Sequence, residues 1–241
     1  MKRLITLSSI VLTALGTILN PTDANANPFL NWIKDSGHFG NIGIKSRYMA
    51  PPGYELERQP TLQSTLGVSN SGLYGYTWGN INLERKKLTE YDLGVGYSRS
   101  FGDVNTDLSY NFFDLIDQGE GRVDDNMHEL WLVLSATGLP FGVKVSQNIA
   151  AGSFPDSRGR DVSFRLKHDA KMRGTPISIE GEGHLNNNYF TSGTGISVIQ
   201  ARATVPIQYR GRTLKPTFEY QRAIDRRTFD DSFVASMITD F

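Results

Sequence analysis

The sequence predicts an all-β fold, a transmembrane antiparallel β-barrel of about twelve strands that follows a secretory signal peptide. Three observations support this fold class. Segments of about ten residues alternate between apolar and polar positions, as expected of strands that face lipid on one side and a lumen on the other. Tight and long connections between these segments alternate along the chain. The last segment ends on an aromatic residue, Phe241.

The N-terminus predicts a signal peptide over residues 1–26. Lys2 and Arg3 precede an apolar run that is shorter than the roughly 20 residues of a membrane-spanning helix. The small residues in Ala24-Asn25-Ala26 fit cleavage before Asn27. We therefore expect residues 27–241 to form one β-barrel domain in the outer membrane of a Gram-negative bacterium.

The composition excludes several classes of protein. The chain contains no cysteine, which rules out disulfides and thiolate-bound metals. Its 25 basic and 25 acidic residues give a net charge of zero, so no nucleic-acid partner is expected. The mature chain also lacks an apolar stretch long enough for a membrane helix, so a membrane location requires a closed barrel.

The strand predictions depend on strict alternation, because successive side chains of a strand point to opposite faces. The clearest case runs from Glu90 to Ser98, where apolar residues alternate with acids, glycine and serine. The twelve predicted strands are 39–48, 60–69, 72–82, 88–100, 103–113, 126–137, 139–150, 159–170, 175–187, 193–208, 212–222 and 232–241.

The connections predict which way the barrel is oriented. Five tight turns contain glycine, at 70–72, 101–103, 137–139, 173–175 and 210–212. Longer polar links lie at 49–59, 83–87, 114–125, 151–158, 188–192 and 223–231. Bacterial outer-membrane barrels have short periplasmic turns and longer extracellular loops. With an even number of strands, both termini are then predicted to be periplasmic.

The last nine residues predict an assembly signal. They alternate so that Phe233, Ala235, Met237 and Phe241 share one face. This segment resembles the C-terminal recognition strand of outer-membrane proteins. We therefore expect two partners, the barrel-assembly machinery, which would recognise Phe241, and outer-membrane lipid, which would contact this face.

The segment from Ile42 to Leu115 is similar to the TorF family of porin-like outer-membrane β-barrel proteins. The similarity lies in Ile44-Lys45-Ser46-Arg47-Tyr48, Gln59-Pro60-Thr61-Leu62-Gln63, Ser71-Gly72-Leu73-Tyr74-Gly75 and Tyr91-Asp92-Leu93-Gly94-Val95-Gly96-Tyr97. The resemblance implies a porin-like role and supplies no catalytic residues.

Neither catalysis nor a bound cofactor is predicted. Outer-membrane phospholipases and lipid A deacylases place a His and a Ser two residues apart on an outward strand face. None of the 4 histidines, His38, His128, His168 and His184, has a serine at that spacing. The acidic pairs Asp124-Asp125 and Asp230-Asp231 have the oxygen ligands that calcium prefers, but we interpret them as solvated loop residues. No metal site is predicted.

Aromatic residues near the predicted strand ends allow two interpretations, a sugar-binding track inside the barrel or a girdle at the membrane interface. Their position at strand ends favours the girdle. The residues concerned are Tyr48, Tyr74, Tyr76, Trp78, Tyr91 and Phe112.

The inward faces carry the predicted functional residues. The basic residues Lys45, Arg47 and Lys144 are predicted to face an acidic sector made of Glu90, Asp92 and Asp107. Reflecting the strands across the turns at Gly174 and Gly211 predicts three cross-strand ion pairs, Arg165–Glu182, Lys167–Glu180 and Arg202–Glu219.

These features favour a narrow porin-like pore for small solutes or ions. The alternative is a structural or adhesive barrel whose lumen is closed and whose extracellular loops bind a partner. Barrels of eight strands are filled by side chains, whereas barrels of sixteen or more strands leave a wide channel. A barrel of about twelve strands lies between these two cases, so the strand count does not decide whether the lumen is open.

Overall fold

The structure is a computed structural model that describes residues 32, 36–50, 54–116, 125–151, 159–189, 194–224 and 231–241. The predicted signal peptide and its cleavage site lie outside the described residues. The strands are β1 (Gly37–Lys45), β2 (Tyr48–Ala50), β3 (Tyr54–Glu57), β4 (Thr61–Asn70), β5 (Leu73–Asn82), β6 (Lys87–Phe101), β7 (Val104–Leu115), β8 (Asp125–Ala136), β9 (Phe141–Ala151), β10 (Arg160–Met172), β11 (Thr175–Asn187), β12 (Thr194–Thr204), β13 (Ile207–Tyr209), β14 (Arg212–Ala223) and β15 (Ser232–Asp240).

Twelve of these strands close into one antiparallel barrel. Strands β4 to β12 pair with their neighbours in chain order, and β12 then pairs with β14. The ring is completed by β14–β15, β15–β1 and β1–β4 pairing. Strands β2 and β3 form a separate hairpin, and β13 extends the β14 edge. The predicted fold class is confirmed.

The five predicted tight turns lie at one end of the barrel, which we call the turn end. Each contains a glycine with positive φ, a conformation that tight hairpin turns commonly need and that glycine adopts without strain. These glycines are Gly72, Gly102, Gly138, Gly174 and Gly211, with φ between 59° and 89°. Phe241 also lies at the turn end, because it exchanges backbone hydrogen bonds with Gly40 of β1. The opposite end is called the loop end.

Most strand boundaries agree with the prediction to within two residues, and two differ by more. The first strand ends at Lys45, and the chain bends at Ser46 and Arg47 before entering the β2–β3 hairpin, which was predicted as a loop. The predicted strand 193–208 is interrupted at Val205 and Pro206. Proline has no backbone N–H to donate to the sheet, so it ends regular pairing at this point.

The two faces of the wall have opposite chemistry. On β6, Leu93, Val95 and Tyr97 point outward, and 60% of Val95 is exposed. The alternate residues Glu90 and Asp92 point inward and are buried. A wall with an apolar exterior and a polar interior is the pattern of a strand-based membrane protein.

Within the described ranges, there is no helix with the length and apolar character needed to cross a membrane.

Candidate functional site: the barrel lumen

On the inner surface of the barrel wall, neutral polar side chains of neighbouring strands form hydrogen bonds with one another. Gln63 Nε2 donates to Asn80 Oδ1 at 3.0 Å, and Asn80 Nδ2 donates to Thr89 Oγ1 at 2.7 Å. On the other side of the barrel, Gln200 Nε2 donates to Gln221 Oε1 at 2.9 Å. Buried polar groups need such partners, so these contacts rigidify the interior.

Tyr74 and Tyr76 of β5 lie flat on the inner surface of the wall. Their hydroxyls donate to Asp107 Oδ1 at 2.8 Å and to Asn111 Oδ1 at 2.5 Å on β7, two strands away. The rings cross β6 at Gly96 and Gly94, where a Cβ atom would lie 2.4 and 2.1 Å from ring carbons. Glycine is therefore required where these tyrosines cover the wall.

The girdle interpretation was wrong for four of the six aromatic residues. Tyr74 and Tyr76 bond to lumen groups, and Trp78 shares their face of β5. Tyr48 is buried with its ring centroid 5.5 Å from that of Trp78. The position of an aromatic residue near a strand end does not show whether its side chain faces the lipid or the lumen, because successive side chains of a strand point to opposite faces.

Gly94→Ala is expected to destabilise the barrel by roughly 1–3 kcal/mol, the usual cost of an added group in a close-packed site. The new methyl group would displace Tyr76 from Asn111. The matched control is Gly75→Ala on the lipid face of β5, where the nearest atom to the new Cβ lies at 3.7 Å. Thermal unfolding followed by gel mobility checks this, and equal midpoints for the two variants would contradict it.

Charged side chains form a continuous band across β10, β11, β12 and β14. Arg165 Nη2 lies 3.2 Å from Glu182 Oε2, and Arg165 Nε lies 3.6 Å from Glu180 Oε2. Arg202 Nη1 lies 3.3 Å from Glu180 Oε1, and Arg202 Nη2 lies 2.7 Å from Glu219 Oε2. Each arginine thus contacts two carboxylates.

The register places all three predicted pairs opposite one another, Arg165 with Glu182, Lys167 with Glu180 and Arg202 with Glu219. Opposition in the sheet does not by itself form an ion pair, however. The Lys167 ammonium lies 3.4 Å from Asp169 on its own strand, while Glu180 is contacted by the two arginines.

The predicted basic and acidic pore residues lie in four different places. Lys45 is at the loop end of β1. Its ammonium group interacts electrostatically with the carboxylate of Glu219 and the guanidinium of Arg202. Arg47 lies beyond β1 and forms an ion pair with Glu55 of the β2–β3 hairpin at 3.3 Å. Asp107 accepts a hydrogen bond from Tyr74 nearer the turn end. Lys144, Glu90 and Asp92 share one cavity.

This loop-end cavity has a volume of about 200 Å³. The β2–β3 hairpin forms one side of it, through the buried residues Tyr48 and Leu56. These pack with Leu115 of β7 and Trp78 of β5. The first connection between barrel strands therefore contributes directly to the lining of the lumen.

Glu129 lines the loop-end cavity and accepts hydrogen bonds from two other residues of its lining. Trp131 Nε1 donates to Glu129 Oε2 at 2.5 Å, and the Tyr189 hydroxyl donates to Glu129 Oε1. Burial raises the pKa of Tyr189 well above its usual value, so this hydroxyl remains a donor. The Lys144 ammonium lies 3.3 Å from the centroid of the Trp131 ring, a cation–π contact. Sequence reasoning did not single out Glu129, Trp131 or Tyr189, because each follows an ordinary strand or loop pattern.

His184 of β11 and Asp161 of β10 form a buried pair that the sequence did not indicate. His184 Nδ1 lies 2.9 Å from Asp161 Oδ2. Among the described residues, His184 Nε2 has no hydrogen-bond partner, and it lies 3.8 Å from Glu182 Oε1. Of the acidic loop pairs, Asp124 and Asp230 lie outside the described residues, and Asp231 Oδ1 accepts from the backbone N–H of Ala223.

The closed wall, the apolar exterior and the charged interior define a transmembrane antiparallel β-barrel of twelve strands. No protein-family model and no curated protein match the sequence. Among solved structures, a KdgM porin is similar, with a TM-score of 0.51 and 8% identity over 85% of this chain and 98% of that chain. A KdgM porin in complex with disordered oligogalacturonate has a TM-score of 0.49 and 8% identity over 85% and 96%. At this identity, the likeness concerns the fold.

Proposed function

We propose that the protein is a narrow porin-like pore for small solutes or ions in the outer membrane of a Gram-negative bacterium. The observation that carries this proposal is the ionic lumen, where the Arg165–Arg202 band and the acidic cavity are enclosed by an apolar exterior. A lumen closed by packed side chains would not require so many charged groups. The porin-like fold supports transport in preference to catalysis.

The proposal includes the orientation and the assembly route. Both termini lie in the periplasm, with the turn end on that side, and the loop end faces the exterior. The barrel-assembly machinery recognises the strand that ends at Phe241. The TorF resemblance of residues 42–115 supports the same porin-like role and stays a prediction from the sequence.

The alternative is a structural or adhesive barrel with a closed lumen. One observation favours it, which is the packing of Tyr48 and Leu56 from the β2–β3 hairpin against Trp78 and Leu115 of the wall. A hairpin in this position narrows the loop end. Conductance in planar bilayers separates the two functions, because only the pore carries current.

A matched pair of tryptophan variants tests whether the current passes through the lumen. Gly142 of β9 faces inward between Ser135 and Arg165, and the nearest atom to an added Cβ is 3.4 Å away. Gly142→Trp is expected to reduce single-channel conductance, because the indole would occupy the lumen.

Gly183→Trp is the control for this test, since Gly183 pairs with the outward residues Phe164 and Ile199 and no atom lies within 4 Å of its added Cβ. Its conductance should equal that of the unchanged protein. A barrel that inserts without conducting would contradict the pore, and equal currents through both variants would contradict the assigned lumen face.

A further inference from the structure

Two carboxyl groups of the loop-end cavity are buried and incompletely bonded. Glu90 is 2% exposed and Asp92 is 6% exposed, and both line the cavity. Within the described ranges, Glu90 Oε2 and Asp92 Oδ1 have no hydrogen-bond partner. An unpaired polar oxygen in such a place costs free energy, and unsatisfied groups of this kind are typical of sites that receive a ligand.

The charges around these carboxyl groups favour a cationic ligand. Apart from tyrosine hydroxyls, the titratable groups of the described residues that line the cavity are the carboxyl groups of Glu90, Asp92 and Glu129 and the amino group of Lys144. Acidic groups therefore outnumber basic groups, and Lys144 lies over Trp131 beside Glu129.

The remaining walls of the cavity favour an organic cation over a metal ion. They include the rings of Tyr76, Trp78 and Phe113. Calcium needs six to eight oxygen ligands, whereas the described residues include no group of three or more His, Asp or Glu side chains arranged so that they could hold one metal ion. Aromatic faces attract organic cations, as the Lys144–Trp131 contact already shows in this cavity.

We propose that the loop-end cavity binds a small organic cation in which an ammonium or guanidinium group is attached to an apolar body. The cationic group bonds to Glu90 Oε2 and Asp92 Oδ1, and the apolar body lies against Trp78 and Tyr76. The cavity volume of about 200 Å³ corresponds to about seven water molecules at roughly 30 Å³ each, which leaves room for a small organic cation. This inference deepens the proposed pore function by naming the solute class that the lumen recognises.

Equilibrium binding of two probes of the same shape tests the inference on the full mature barrel in detergent. The probes are 2-phenylethylammonium and the neutral 2-phenylethanol, titrated calorimetrically with blanks that contain detergent alone. Two of the chain's 3 tryptophans, Trp78 and Trp131, line the cavity, so their fluorescence reports binding independently. We expect the cation to bind about ten-fold or more tightly than the alcohol, the scale of one charge-assisted hydrogen bond.

The double variant Glu90→Gln/Asp92→Asn should abolish the preference for the cation. The control is Asp107→Asn, which removes a lumen carboxylate that bonds to Tyr74 and does not line the cavity. It should keep the preference. Equal affinity for both probes in the unchanged protein would overturn the inference even if the double variant failed to fold, and so would a preference that survives in a folded double variant.

Bilayer recordings distinguish this inference from the pore function on which it rests. Addition of 2-phenylethylammonium should reduce the current, whereas 2-phenylethanol should leave it unchanged. A conducting barrel that binds neither probe would overturn the cation site and leave the pore. A barrel that binds the cation without conducting would overturn the pore and leave the site.

Discussion

Deletion of Phe241 is expected to prevent most of the protein from assembling as a closed barrel. The backbone N–H of Phe241 donates to Gly40 O at 3.0 Å, and Gly40 N–H donates to Phe241 O at 3.1 Å. These bonds are part of the β1–β15 seam. Backbone groups left unpaired in lipid cost several kcal/mol each. The folded, heat-modifiable band in outer-membrane fractions measures the loss.

Substitutions at Phe241 separate the role of the ring from that of the backbone. The ring covers Gly40 on the lipid face, where an added Cβ would lie 2.6 Å from Phe241 Cε2. Phe241→Tyr keeps both the ring and the backbone bonds and should assemble normally. Phe241→Ala keeps only the backbone bonds and should assemble less well than Phe241→Tyr. Normal insertion of the deletion variant would show that neither feature serves as an assembly signal.

Arg202→Met is expected to destabilise the barrel and to shift the selectivity of the pore towards cations. Arg202 contacts both Glu219 and Glu180, and its side chain is 28% exposed. Its loss leaves Glu219 without this partner, at a cost of roughly 1–3 kcal/mol for an unpaired charged group. The excess negative charge then attracts cations into the lumen. The unfolding midpoint and the reversal potential in a salt gradient measure the two effects.

Lys167→Met is the matched control, because it removes the same charge from a more exposed pair. The side chains of Lys167 and Asp169 are 52% and 69% exposed. Such surface pairs contribute little to stability, because water screens the two charges. Arg202→Met should therefore have the larger effect on stability. If the two variants unfold at the same midpoint, Arg202 does not hold the charged band together.

The barrel was predictable because its strands and turns leave local signals in the sequence. Alternation along β6 separates the lipid face from the lumen face within a single strand. Gly174 and Gly211 mark the turns, and a two-residue turn determines how the flanking strands pair. Proline at position 206 was equally visible, yet the prediction continued the strand through it.

The sequence by itself therefore determined the barrel, its hairpins and the inward or outward direction of most side chains, because these properties depend on neighbours in the chain. Apart from the Arg165–Glu182 and Arg202–Glu219 contacts, only the tertiary structure decided the partners inside the lumen. Arg47 contacts a hairpin that was predicted as a loop, and Lys144 shares a cavity with Glu90. These contacts join residues from strands and loops far apart in the sequence. Side-chain direction and barrel curvature bring them together, and neither can be obtained from alternation along one strand.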